Sequence, residues 1–132
     1  MIKYYIRQGK HPKTGAAIFF GQNLHVEPIT LDQIAEEVEH STTMTKADIL
    51  ACLSEVEEAI IDKFRNNVSV RLGLLGSFCP TMSSVAARSS VEFTKANIKN
   101  INVAFRPSPT MKYRLKNGHP EMSFQLVEPN EE

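Results

Sequence analysis

Val68-Ser69-Val70-Arg71-Leu72-Gly73-Leu74-Leu75-Gly76-Ser77-Phe78 is the stretch on which the fold of this chain turns. Val68, Val70 and Leu72 alternate with Ser69 and Arg71, the period of a strand with one apolar face. Gly73 and Gly76 bracket two leucines, which reads as a tight corner. Ser77-Phe78-Cys79-Pro80-Thr81-Met82 then resumes an extended run, confined by Pro80 to a sheet edge or a bulge. Further on, Ile101, Val103 and Phe105 alternate with Asn102 and Ala104, a second clear strand. Between the two, residues 83–90 are small and polar and read as a ribbon tip, with Val91 to Lys95 as the returning strand.

Before the corner the period changes from two to 3.6. Thr30-Leu31-Asp32-Gln33 has capping-box spacing, and Leu31, Ile34, Ala35 and Val38 follow at helical intervals, predicting a short helix that ends near His40. Thr45 caps a second helix with Asp48 three positions on. Ile49, Leu50, Leu53, Val56, Ile60, Ile61 and Phe64 give it one broad apolar stripe up to about Arg65. Cys52 lies on that helix and is expected to be buried. Asn66-Asn67 supplies the stop. After the strands, Ser108 and Pro109 have the N-cap and N1 chemistry of a last helix, carrying Lys112, Arg114 and Lys116 in its C-terminal half and ended by Asn117-Gly118.

The flanks differ from this middle. Residues 2–20 read as a hairpin turned at His11-Pro12-Lys13-Thr14-Gly15, and Met122 to Val127 reads as a last strand before a frayed tail from Glu128 to Glu132. The expected organisation is an extension and linker over 1–28, one domain over 29–118 and a partly disordered extension over 119–132. A chain of 132 residues has room for one domain with appendages, and its 42% hydrophobic and 23% charged composition is globular.

Net charge is zero, but the charge is segregated. Residues 1–26 carry +4 with no acid, 27–62 carry −9, 63–118 carry +9 and 119–132 carry −4. Such a chain can present one cationic face despite its balance, the alternative being that both halves are solvated surfaces interleaved in space. The second helix is acidic, which argues against its lying in a DNA groove. Two cysteines without a CxxC pair give neither a disulfide framework nor a zinc site, and four scattered histidines lack ligand spacing. The corner lacks the Gly-Lys-[Ser/Thr] ending of a phosphate loop. No catalytic constellation, metal site or cofactor is expected. No apolar run reaches the length of a membrane span, and no secretory signal is read at the N-terminus, so the expectation is a soluble, cytoplasmic protein.

The order of elements resembles the HU and integration host factor family of bacterial histone-like DNA-binding proteins, in the HU-related subgroup with an extended N-terminus. The likeness runs over residues 29–118. It is carried by Val68 to Leu72, by Gly76-Ser77-Phe78 at the family's glycine corner, and by Ile101-Asn102-Val103-Ala104-Phe105-Arg106-Pro107 before the basic helix. The resemblance implies an α+β intertwined dimer, with a helical base, a β-sheet saddle and β-ribbon arms, plus the N-terminal hairpin. It implies a nucleoid-associated protein that binds double-stranded DNA through the minor groove and phosphates with little sequence specificity. The partner chain would be a second copy or a related chain; no membrane or small-molecule substrate is implied. Arg71, Arg88, Lys95, Lys99, Arg106, Lys112, Arg114 and Lys116 are the expected DNA contacts. Leu74 stands where the family has its first glycine, and two departures count against a strong grip: residues 83–98 hold no proline and only Arg88, Lys95 and Glu92 as charged groups, and Pro109 stands where a basic residue is common in the last helix. The alternative is a protein-interaction module that keeps the fold and has lost strong DNA binding.

Overall fold

The structure, a computed structural model, describes residues 1–128. The chain forms two compact units, one from Met1–Pro28 together with the segment that begins at Tyr113, the other from Ile29–Lys112.

The Ile29–Lys112 unit opens with α1 (Leu31–Ser41), and its capping box is formed as the spacing predicts. The Thr30 hydroxyl accepts from the Gln33 amide at 3.4 Å, and the Gln33 side chain accepts from the Thr30 amide at 2.9 Å. Helix α2 (Lys46–Arg65) starts at Thr45, whose hydroxyl accepts from the Asp48 amide at 3.3 Å. It stops at Asn66, and Asn67 takes a positive φ of 60°. Ala35 of α1 and Ile49 of α2 are the buried hydrophobic residues of the described chain. Lys46 bonds Glu36 at 2.9 Å between the two helices. That contact holds the Glu36 carboxyl below the usual glutamate range and the Lys46 ammonium above the usual lysine range.

A three-stranded sheet follows, in the order β3 (Val70–Leu72), β4 (Gly76–Ser84), β5 (Ile98–Pro107), antiparallel throughout. The period-two reading of the sequence translates directly into two faces. Val70, Phe78 and Phe105 are register partners on one face, continued by the pairs Pro80–Val103 and Met82–Ile101. The Phe78 ring is 6.4 Å from Phe64 of α2 and 4.9 Å from Phe105, so the apolar face lies against the long helix. Strand β3 pairs only with Gly76 to Phe78. Pro80, which has no amide hydrogen to give, therefore falls where β4 has a neighbour on one side alone.

Three expectations are corrected here. Residues 91–95 do not form a returning strand. Lys95–Asn97 is a single 3₁₀ turn and the strand begins at Ile98. The cause is Asn97: its side chain accepts from the Thr94 amide at 3.0 Å and donates to the Val85 carbonyl at 3.3 Å, closing the loop across the ribbon. The basic helix, α3 (Pro109–Arg114), stops before Lys116, which falls in a turn. Cys52 is exposed, because the stripe of α2 is only partly covered within the described chain.

The other unit is a second three-stranded sheet. β1 (Ile2–Lys10) and β2 (Ala17–Asn23) form the expected hairpin, and β6 (Phe124–Leu126) lies parallel to β1 on its other side, in the order β2-β1-β6. The hairpin turn closes with His11 and Ala16 bonded at 2.9 Å. Of the expected frayed tail, only Glu128 is described; residues 129–132 lie outside the described residues.

Candidate nucleic-acid interface

The second face of the β3-β4-β5 sheet is polar. Arg71, Ser77 and Arg106 are register partners in one row across the three strands. With neighbouring strands about 4.8 Å apart, the two arginine backbones stand roughly 10 Å from each other across the serine. The same face continues along the ribbon with the pairs Cys79–Ala104, Thr81–Asn102 and Ser83–Asn100. Thr81 and Ser83 donate to the carbonyls of Asn102 and Asn100 at 3.5 and 3.3 Å. An open cleft of about 910 Å³ is lined by Ser69, Arg71, Ser77, Cys79, Arg106 and Thr110. The polar face thus has two exposed arginines at the cleft and carries hydroxyls and amides beyond it along the ribbon. It has the geometry to accept phosphates beside neutral hydrogen-bonding groups.

Two devices hold this face in place. Gly76 is buried with φ at +146°, and a Cβ there would run into the backbone carbonyl of Arg106 and stand 3.0 Å from the Pro107 Cα. The glycine therefore lets β4 approach the very residues that carry Arg106. Ser108 is the second device. Its amide donates to the Leu75 carbonyl at 3.0 Å, its hydroxyl donates to the Leu74 carbonyl, and the same hydroxyl accepts from the Met111 amide at 3.0 Å. One serine thus caps α3 and ties the Gly73–Gly76 corner to the end of β5.

The eight sequence-predicted contacts divide among these elements. Arg71 and Arg106 come together on the polar face. Lys99 sits at a bulge: Ser83 pairs with Asn100 and Ser84 with Ile98, leaving Lys99 without an opposite residue. Arg88 is exposed in the loop after β4, and Lys95 opens the 3₁₀ turn at the ribbon end. Lys112 lies on α3 in the same unit. Arg114 and Lys116 belong to the other unit, and Arg114 pairs with Glu121 at 3.5 Å. Sequence reasoning missed Ser77, Thr81, Ser83, Asn100 and Asn102 as members of the face. The alternation of Asn100 and Asn102 with Ile101 and Val103 held that signal.

Among the described residues no cluster of histidine, cysteine and carboxylate side chains is arranged to hold a metal. No described helix is long and apolar enough to cross a membrane.

A family model, HU-HIG, described as an HU domain fused to wHTH, Ig or a glycine-rich motif, matches residues 1–122. Among solved structures, a protein from Bacteroides vulgatus proposed to be a bacterial DNA-binding protein shares the fold, with a TM-score of 0.66 at 14% identity. The match covers 96% of this chain and 48% of that one, so the chain spans about half the length of this structural relative. No curated protein is significantly similar to the chain in sequence.

Proposed function

Because the chain belongs to the HU-HIG family, we propose that it is a dimeric DNA-binding protein. It would grip duplex DNA through phosphates and the minor groove with little sequence preference. The observation that carries this reading is the two-faced sheet: Arg71, Ser77 and Arg106 in one row on the polar side, and Val70, Phe78 and Phe105 in one row on the apolar side, where Phe78 meets Phe64 of α2. The polar face and its ribbon meet the DNA. Lys99, Lys95 and Arg88 extend the contact along the arm, and Lys112, Arg114 and Lys116 supply further phosphate contacts. The domain that does this is residues 29–118, with 1–28 and 119–132 as flanking extensions. HU-type domains act by binding, and the reading assigns no catalysis.

The dimer is supported by what a single chain leaves uncovered. Leu75 is 54% exposed, Val103 46%, Phe105 45% and Ile61 45%. Such large side chains are normally inside, each contributing about 1.5–3 kcal/mol when fully covered. A second copy, or a related chain, covers them in this reading. A nucleoid location inside a bacterial cell follows from the DNA partner.

The arm is the point where the alternative stands. The ribbon pairing ends at Ser84 and Ile98, and the loop beyond it has few cations and no proline to wedge between base steps. Weak bending is therefore expected, and loss of duplex binding would leave a dimer kept for protein partners. The deciding experiment is fluorescence anisotropy with a labelled duplex of about 30 base pairs, titrated at several salt concentrations and with unrelated sequences. The expected result is sequence-tolerant binding whose log affinity falls with log salt by about 0.9 per phosphate neutralised. A folded dimer that ignores duplex at low salt would establish the alternative, and a monomer at micromolar concentration by light scattering would overturn both.

A further inference from the structure

The β2-β1-β6 sheet has two unlike faces. One carries Ile2, Tyr4, Ile6, Phe19, Phe124 and Leu126, and a pocket of about 400 Å³ on it is lined in part by Asn117 of the same unit. The other face carries Lys3, Tyr5, Arg7 and Gly9 from β1, Ile18, Phe20 and Gln22 from β2, and Gln125 from β6. Lys3, Arg7 and Phe20 on it are exposed, Phe20 by 44%.

From this second face we infer a binding platform for single-stranded nucleic acid, separate from the duplex site proposed above. Three observations converge. First, residues 1–26 contain four cations and no acid: Lys3 and Arg7 stand on this face, Lys13 lies in the hairpin turn and Lys10 falls on the other face by register. The complementary partner is a polyanion. Second, the edge of the Phe20 ring reaches across to Gly9: its Cε1 stands 2.8 Å from where a Cβ of Gly9 would be, so the ring sits where only a residue without a side chain leaves it room. Third, a cation lies over that ring. The Arg7 guanidinium is 5.8 Å from the Phe20 centroid and donates to the Gln22 side chain at 3.3 Å. Lys3 follows four residues away on the same face, about 13 Å along the strand.

An exposed aromatic ring accompanied by cations on a sheet is what unstacked bases and their phosphates use. The base stacks on the ring whatever its identity, and the backbone runs over the cations. A duplex keeps its bases stacked on one another and has none to lay on a protein side chain, so the single strand is the partner that fits. Tyr5, half-buried beside Gln22, gives the face a second ring in line with the first.

The test is anisotropy of a labelled oligothymidylate of about 12 nucleotides, a length within one platform's footprint, against the full chain at low salt. Phe20→Ala is expected to weaken binding about 5- to 150-fold, while Phe20→Tyr, which keeps the ring, binds as the parent does. Lys3→Gln with Arg7→Gln, both surface changes that leave the strand intact, lowers the salt slope by about 1.4. Phe20→Ala leaves duplex binding unchanged, and Arg106→Gln weakens duplex while sparing the oligonucleotide. The two assignments therefore fail separately. No oligonucleotide binding by the parent, an unaltered salt slope in the Lys3/Arg7 double variant, or an equal loss of oligonucleotide binding in Arg106→Gln would each overturn the platform.

Discussion

Replacing Gly76 with alanine tests how the candidate interface is built. The residue is buried and its φ is +146°, outside the range that side chains accept readily. Strain of that kind costs about 1–3 kcal/mol. The added methyl also displaces the Arg106 carbonyl and the start of Pro107. That loosens the two hydrogen bonds by which Ser108 holds Leu74 and Leu75. Two such bonds contribute about 0.5–1.5 kcal/mol each, so the whole change costs about 2–6 kcal/mol. Domains of this size have about 5–15 kcal/mol to lose, so the variant is expected to fold but to unfold at markedly lower urea. The comparison that isolates the clash is Gly73→Ala. Gly73 also has a positive φ, +44°, but nothing lies within 4 Å of its absent side chain. That change costs only about 1–2 kcal/mol of backbone strain. Both variants are unfolded in urea at one protein concentration, followed by circular dichroism, since dimer stability depends on concentration. If Gly76→Ala is no less stable than Gly73→Ala, the close approach of β4 to Arg106 is not what shapes this face.

Further outcomes follow from the same geometry. Arg71→Gln with Arg106→Gln is expected to lower the salt slope of duplex binding by about 1.8 per protomer, equally for unrelated sequences; an unchanged slope removes these two from the contact. Asn97→Ala breaks the bonds to Thr94 and Val85 and is expected to speed amide exchange across residues 85–97 with little change in the global unfolding midpoint, as read by hydrogen exchange. The Lys46 contact depresses the Glu36 carboxyl, so its contribution is present above the ordinary glutamate value of about 4.3 and is lost as pH falls through the lower folded value. Thermal melts should show parent and Glu36→Gln separated at neutral pH and converging in acid. A gap that widens in acid would contradict the pairing. Lys46 is raised by the same contact, so convergence is also expected when pH rises past its folded value.

Much of this was readable from residue order. The capping box at Thr30 and the cap at Thr45 need only local chemistry, and both helices start where their caps predict. The alternation of Val70, Phe78 and Phe105 with polar residues is likewise local, and it fixed which side of the sheet faces α2. What was not legible depended on contacts distant in the chain. Asn97 reaches back to Val85, and that bond, absent from any strand propensity, cancelled the expected strand at 91–95. The polar row needed a register. Arg71 and Arg106 are unrelated in sequence until Ser77 is known to pair with both. The burial expected of Cys52 assumed that an apolar stripe is covered all along its length, and within one chain that of α2 is not.

The parallel pairing of β1 with β6 has a consequence for how the chain reaches its final form. Ile2 and Phe124 are partners 122 positions apart, whereas β1 and β2 are joined by a short turn. Closing so long a loop costs little more than closing one half its length, about 0.6 kcal/mol, but contacts of high separation form late. On the ribosome the hairpin can zip as soon as Asn23 emerges, yet its outer edge stays open until Phe124 to Leu126 have been made, about a hundred residues later. During that interval the nascent chain displays an unsatisfied β edge beside Ile2 and Tyr4, a surface to which other strands can anneal. The three-residue strand β6 acts as a latch, and its arrival closes that edge against mispairing with neighbouring chains.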